Sequence, residues 1–325
     1  MKDALLRVDG LCKAFPLGGG FLGGSKRLLR AVDRVCLHLE RGETLGLVGE
    51  SGCGKTTVGN LILRLLTPDS GSIVFEGTDM TRLAGAELTR ARARMQVVFQ
   101  DPQSSLDPRM TVGNIVSLPL KILGLARGAE LRERAAASLA EVGLGPESLD
   151  RYPHEFSGGQ RQRIGLARAL VSGPAFVVMD EPTSALDVSV QAQILNLMGD
   201  LQSRLGHAYL FISHDLAVVR HVSRRIAVMY LGAVVETAPT DRLFDHPAHP
   251  YTRALLASVP VPDPRRRQNL ARLTGDVPSP VDLPPGCRFH PRCPEALPHC
   301  ASLEPPRVVL SPGHEVVCHL HQQNT

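Results

Sequence analysis

The stretch Gly49-Glu50-Ser51-Gly52-Cys53-Gly54-Lys55-Thr56-Thr57 constrains this chain more than any other. It follows the pattern G-x-x-x-x-G-K-T. A phosphate tail needs donors from several directions with no side-chain bulk in the way. Glycines let backbone N–H groups close around the phosphates, and a lysine adds positive charge near the β and γ phosphates. Residues Gly49, Ser51, Gly52, Cys53, Gly54, Lys55, Thr56 and Thr57 are therefore the candidate nucleotide-binding loop, with the Thr56 hydroxyl offered to Mg²⁺. Cys53 lies inside the loop, so alkylation of its thiol is expected to inhibit and nucleotide to protect.

The context agrees with the motif. Thr44-Leu45-Gly46-Leu47-Val48 before it is short, apolar and bounded by Gly42 and Gly49, as a buried strand is. After it, Val58, Leu61, Ile62, Leu65 and Leu66 recur at helical spacing until Thr67-Pro68-Asp69-Ser70-Gly71 stops the helix. Strand, loop and helix in that order place the loop at a helix N-terminus, which favours an anion.

Length allows two or three compact units. The 36 Lys+Arg against 32 Asp+Glu leave a net charge of +4, which gives no argument for nucleic acid. No apolar run approaches the ~18 residues that span a bilayer. The start, Met1-Lys2-Asp3-Ala4-Leu5, lacks the apolar segment of a signal peptide. The expectation is a cytoplasmic chain, held at a membrane only through another chain.

In chain order, residues 5–48 read as β structure, interrupted by a loop carrying Gly18, Gly19, Gly20, Gly23 and Gly24. Phe15 stands before that loop, either to stack on an adenine face or as ordinary apolar filler. Ser72-Ile73-Val74-Phe75 reads as a strand turned at Glu76-Gly77. Gln100 follows Val97-Val98-Phe99 and is placed to reach a metal ion or an attacking water, or is simply a loop residue. Residues 101–156 change character, with short amphipathic helices around 111–123 and 130–142.

Ser157 and Gln160 have the S-x-x-Q spacing of a capping box, and Gly158 and Gly159 leave the backbone N–H groups uncovered. The result is either a second anion site at a helix N-terminus or a plain cap. Phe176-Val177-Val178-Met179 is a wholly apolar strand ending in Asp180-Glu181. Asp180 suits Mg²⁺, and Glu181 suits polarising the water that attacks a γ-phosphate. Ser184-Ala185-Leu186-Asp187 opens the next helix. His214 ends the strand Tyr209-Leu210-Phe211-Ile212-Ser213, either to contact the γ-phosphate or as a structural histidine. Residues 226–236 read as a hairpin around Gly232.

Beyond about residue 245 prolines punctuate the chain, among them Pro260, Pro262, Pro264, Pro278, Pro280, Pro284 and Pro285, with Arg265-Arg266-Arg267 between. This segment has too little apolar periodicity to build its own core. It holds Cys287, Cys293, Cys300 and Cys318, with five, six and seventeen residues between successive members. Four thiolates can ligate an iron–sulfur cluster or zinc; the spacing departs from the usual C-x-x-C zinc pattern and favours the cluster. His290, His299, His314 and His319 stand nearby as substitute ligands. The segment is far in sequence from the P-loop and is expected to stay out of ATP chemistry.

The ordered set resembles the nucleotide-binding subunit of an ABC transporter. Gly49–Thr57, Gln100, Phe156–Gln160, Phe176–Glu181, Ser184–Asp187 and His214 are similar to Walker A, Q-loop, signature, Walker B, D-loop and H-loop. The segment from Gln100 to Val112, Tyr152-Pro153-His154-Glu155, and His249-Pro250-Tyr251-Thr252-Arg253-Ala254-Leu255-Leu256 resemble the oligopeptide and dipeptide importer branch. Some members of that branch carry a [4Fe–4S] cluster on such cysteines, and others import nickel, glutathione or oligosaccharides.

The resemblance implies an α/β fold: a RecA-like P-loop core, an antiparallel β subdomain, a helical subdomain at about 101–156, and a loop-rich cysteine-containing C-terminal extension. The cassette would span residues 1–245 and the extension 246–325. It implies ATP and Mg²⁺, the metal held through Thr56, Gln100 and Asp180, with Glu181 and His214 catalytic. It implies a head-to-tail dimer in which Ser157, Gly158, Gly159 and Gln160 act on the partner's ATP beside the D-loop residue Asp187. Permease subunits contacted near residues 101–112, an identical or related second ATPase, an extracytoplasmic binding protein acting indirectly, and a place on the cytoplasmic face of the inner membrane follow from the same resemblance.

Overall fold

The structure is a computed structural model that describes residues 4–17, 27–101, 105–258 and 278–322. The glycine loop at 18–24, the segment 102–104 and the run from Pro260 to Arg267 lie outside the described residues. In chain order the first half contains β1 (Ala4–Leu17), β2 (Arg27–Glu40), β3 (Thr44–Val48), α1 (Lys55–Ile62), β4 (Ser70–Phe75), β5 (Thr78–Asp79), α2 (Gly85–Ala93), β6 (Met95–Val98), α3 (Val112–Ile122) and α4 (Ala129–Glu141). The second half contains α5 (Gly158–Leu170), β7 (Phe176–Asp180), α6 (Val188–Leu205), β8 (Ala208–Ile212), α7 (Leu216–Val222), β9 (Arg225–Tyr230), β10 (Ala233–Pro239), α8 (Thr240–Asp245), α9 (Pro250–Ala257), β11 (Arg307–Ser311) and β12 (His314–Val317). The chain divides into two compact units.

One unit holds Met1–Leu6, Leu39–Thr44 and Val74–Ile212. Its strands β6, β7 and β8 are parallel, with Val98 opposite Met179 and Asp180 opposite Ile212. Every residue of β7 and β8 is buried, as in parallel strands covered on both faces. Helices α3, α4 and α5 pack on one another. The Ser138 hydroxyl of α4 donates to the Ala167 carbonyl of α5 at 2.8 Å, so a buried polar group is satisfied while it joins two helices. The expected helices around 111–123 and 130–142 are α3 and α4, each within a residue of its predicted ends.

The other unit holds Arg7–His38, Leu45–Ile73 and Ser213–Thr325. Strand β3 runs parallel to β9, with Leu45 opposite Arg225 and Val48 opposite Val228. The predicted hairpin is β9 and β10, antiparallel through Tyr230 and Ala233. Gly46 is required in β3 because a Cβ there would strike the Val219 side chain of α7. The C-terminal extension joins the same sheet: β12 pairs with β10, Glu236 opposite Val316, and β11 pairs with β12.

That pairing corrects one expectation. Val316 is fully buried and packs with Ala248 and Cys318 against the half-buried Val308 and Leu320. The extension therefore does own a small apolar cluster. Its alternation in Arg307–Ser311 and His314–Val317 around Pro312-Gly313 is short, and the surrounding prolines mask it.

Candidate nucleotide site

Gly49 follows β3 at a positive φ of 154°, where a Cβ would strike the Met229 carbonyl oxygen. Gly54, at φ 106°, precedes the first turn of α1, and a Cβ there would strike the Ala31 carbonyl oxygen. Both positions need glycine on steric grounds alone. Among the described residues no side chain caps α1 and no acidic residue occupies its first turn. Its leading N–H groups keep the field that attracts an anion.

Lys55 is buried. Its ammonium donates to the Gly49 carbonyl at 2.8 Å and to the Glu50 carbonyl at 3.0 Å. The charge that is to meet a phosphate is thus held by the loop that meets it. Cys53 is only 5% exposed, and burial pushes its thiol up despite Lys55 nearby. This burial runs against the expectation that alkylation at Cys53 inhibits, because the thiol is shielded in the folded loop.

Two further contacts to this loop were missing from the sequence reading. The Glu50 N–H donates to the Tyr251 hydroxyl of α9 at 3.0 Å. The Glu50 carboxylate accepts two hydrogen bonds from Arg292, at 2.8 and 3.1 Å. The extension, expected to stay apart from ATP chemistry, stands against the P-loop. His249-Pro250-Tyr251 was noticed as a pattern, but nothing in it signalled a bond to a residue 201 positions away.

In the same unit His214 is exposed just beyond Ser213, and Asp215 caps α7 by accepting from the Ala217 and Val218 N–H groups. Phe15 is half-buried, with the Lys13 ammonium 5.7 Å from its ring centroid.

The second unit carries the carboxylates. Asp180 ends β7 and is 9% exposed, and Glu181 follows in the left-handed region at φ 46°. A non-glycine residue in that region is strained. The Glu181 N–H donates to the Ile212 carbonyl at 2.9 Å, which fixes the strained turn. Gln100 donates from its side-chain amide to Glu181 Oε2 at 3.0 Å. The two residues assigned from sequence to metal and water thus meet directly.

Ser157 and Gln160 form the predicted reciprocal cap: the Gln160 N–H donates to Ser157 Oγ at 3.3 Å and the Ser157 N–H to Gln160 Oε1 at 3.0 Å. Ser157 and Gly158 are exposed. Gly159 is required because a Cβ there would strike Val190 of α6. Asp187 caps α6, accepting from the Val190 N–H at 3.0 Å and the Ser189 hydroxyl at 2.7 Å; these bonds hold its carboxyl below the usual range.

In the extension Cys287, Cys300 and Cys318 are buried and Cys293 is half-buried. Backbone N–H groups of Phe289 and His290 point at the Cys287 sulfur, that of Glu295 at Cys293 and that of Leu320 at Cys318. Donors aimed at sulfur suit thiolate ligands. Burial pushes the Cys318 thiol up to about 11, so a cation is needed to keep such sulfurs ionised. Zinc, with Zn–S near ~2.3 Å, draws its sulfurs to within roughly 4 Å of each other. Among the described residues the ligand atoms that gather within 4.8 Å are those of His299, Cys300 and His319, and no three of the four sulfurs do. The gathered group thus joins two histidines to one of the four cysteines.

A family model described as ABC transporter matches residues 32–184, and one described as oligopeptide/dipeptide transporter, C-terminal region, matches residues 235–300. The chain is 52% identical over 320 residues to a protein of Sinorhizobium fredii named as a probable peptide ABC transporter ATP-binding protein, covering 98% of this chain and 91% of the relative. It belongs to the ABC transporter ATP-binding family. This cassette is also 47% identical over 325 residues to an oligopeptide transport ATP-binding protein of Bacillus subtilis, covering 98% of each. A solved ATP-binding cassette, dimeric and bound to ADP and Pi after hydrolysis, superposes with a TM-score of 0.63 at 30% identity, covering 72% of this chain and 98% of the other. The fold is that of a RecA-like P-loop cassette, and the chain is an ATP-hydrolysing transporter subunit. Such subunits work as dimers and with transmembrane permeases. No helix among the described residues is long and apolar enough to cross a membrane.

Proposed function

We propose that this cassette drives import of peptides through a partner permease, from the cytoplasmic face of the inner membrane. The observation that carries the reading is the extent of the likeness to peptide-transport relatives, which runs through both the cassette and the extension. In this reading residues 1–245 form the nucleotide-binding domain, with a helical subdomain at about 101–156 facing the permease. Residues 246–325 are the accessory extension.

The roles follow from the chemistry of the side chains. Backbone N–H groups from Gly49 to Thr57 and the Lys55 ammonium hold the phosphates, and Phe15 stacks on the base. Thr56, Gln100 and Asp180 are the Mg²⁺ ligands. When bound there, Mg²⁺ would supply positive charge to offset that of the phosphate tail. Glu181 polarises the attacking water, with Gln100 fixing its carboxylate, and His214 contacts the γ-phosphate. Ser157, Gly158, Gly159 and Gln160 present the exposed N-terminal turn of α5 to ATP on a second copy or a related subunit, beside Asp187. Cys287, Cys293, Cys300 and Cys318 hold a [4Fe–4S] cluster with a structural role; zinc is the alternative.

The test is uptake. The chain is reconstituted in proteoliposomes with a permease and binding protein of the peptide-import class, and labelled dipeptides and oligopeptides are supplied. ATP-dependent accumulation of peptide is expected. Accumulation of nickel, glutathione or an oligosaccharide with none of peptide would overturn the cargo assignment and leave the ATPase reading intact.

A further inference from the structure

Arg292 is only 6% exposed, although it belongs to a loop-rich extension. A buried charge is costly unless it is paired with good geometry. Here the partner is Glu50, the second residue of the P-loop, gripped through both carboxylate oxygens. Planar bidentate pairing is the arrangement that arginine, and not lysine, provides. The grip rests on a built support. Arg292 sits 5.9 Å from the centroid of the Tyr230 ring, and Tyr230, Tyr251 and Phe289 pack on one another with centroids 4.6 to 5.4 Å apart. Tyr251 in turn takes the Glu50 N–H. Side chain and backbone of one P-loop residue are therefore both anchored from the extension.

The next bond carries the effect inward. Glu50 offers its carbonyl to the Lys55 ammonium at 3.0 Å. A carboxylate carried by the residue whose carbonyl holds the phosphate-binding lysine works against an anionic ligand unless its charge is neutralised and its position fixed. Arg292 does both.

We propose that Arg292 is a positioning residue for ATP binding: by pairing with Glu50 it fixes the P-loop backbone around Lys55 and offsets the charge of the loop's own carboxylate. The inference rests on the reading of Gly49–Thr57 as the ATP phosphate site. It also explains why a segment with no part in the chemistry is held so tightly to the loop.

A double-mutant comparison on the full-length chain tests it, with ATP affinity measured by calorimetry and KM and kcat by phosphate release. Arg292→Met leaves the half-buried Glu50 carboxylate without its arginine, and KM for ATP is expected to rise about tenfold with kcat at saturation changed less than about twofold. Glu50→Gln combined with Arg292→Met removes the orphaned charge and is expected to bring KM back to within about threefold of the parent. Tyr251→Phe deletes only the acceptor of the Glu50 N–H; it is expected to raise KM a few-fold and carries the test if Arg292→Met does not fold. A KM unchanged in both Arg292→Met and Tyr251→Phe overturns the proposal. So does a double variant no better than Arg292→Met, which would mark the pair as structural only. Lys55→Ala is the control for the underlying reading: if it binds ATP normally the phosphate site itself is misassigned, whereas loss of binding there with normal Arg292→Met sinks only the present inference.

Discussion

Cys53 shows how far a motif can be read without its surroundings. The pattern placed it in the phosphate loop, and its backbone is there. Its thiol is buried and pushed up by that burial. Thiol reactivity follows thiolate content and access. Alkylation of Cys53 by iodoacetamide in the folded chain is therefore expected to be at least about tenfold slower than in the chain unfolded in urea, with or without ATP. Peptide mapping by mass spectrometry reads this, and equal rates in the two states would contradict it. Glu181 carries the opposite lesson. Its carboxylate at a strand end was legible, but its left-handed backbone and its bond from Gln100 were not. Dihedral strain and side-chain pairing arise from the fold around a residue, and no spacing rule encodes them.

Elements built from local rules were legible. The S-x-x-Q spacing of Ser157 and Gln160 gave the cap of α5 because both partners lie within one helical turn. The β9–β10 hairpin followed from Gly232, and β7 from its unbroken apolar run. The strands of the extension were missed, since four or five residues of alternation carry little weight amid prolines. The same extension holds the cysteine set. Anaerobic purification followed by metal analysis and visible absorption is expected to find iron with sulfide and a broad band near ~400 nm. Removing that metal by chelation is expected to loosen the extension and with it the hold of Arg292 on Glu50. Stoichiometric zinc without iron would reassign the site, with His299, Cys300 and His319 as the ligands already gathered.

At the scale of the molecule, the residues assigned to ATP are divided between the two units. Lys55, Thr56 and His214 belong to one, and Gln100, Asp180 and Glu181 to the other. The identities of these residues were legible because each motif is short and ordered. The ties from the extension to the P-loop were not, because Arg292 and Glu50 stand 242 positions apart and nothing local pairs them. In the proposed mechanism ATP is hydrolysed through Glu181, the carboxylate that follows β7. Phosphate release by Glu181→Gln, measured at saturating ATP beside the parent chain, tests it most directly. Loss of a general base lowers turnover by roughly 10²–10⁴-fold, so a fall of at least about a hundredfold is predicted, with ATP still bound and recovered intact. Turnover within a few-fold of the parent would contradict the claim.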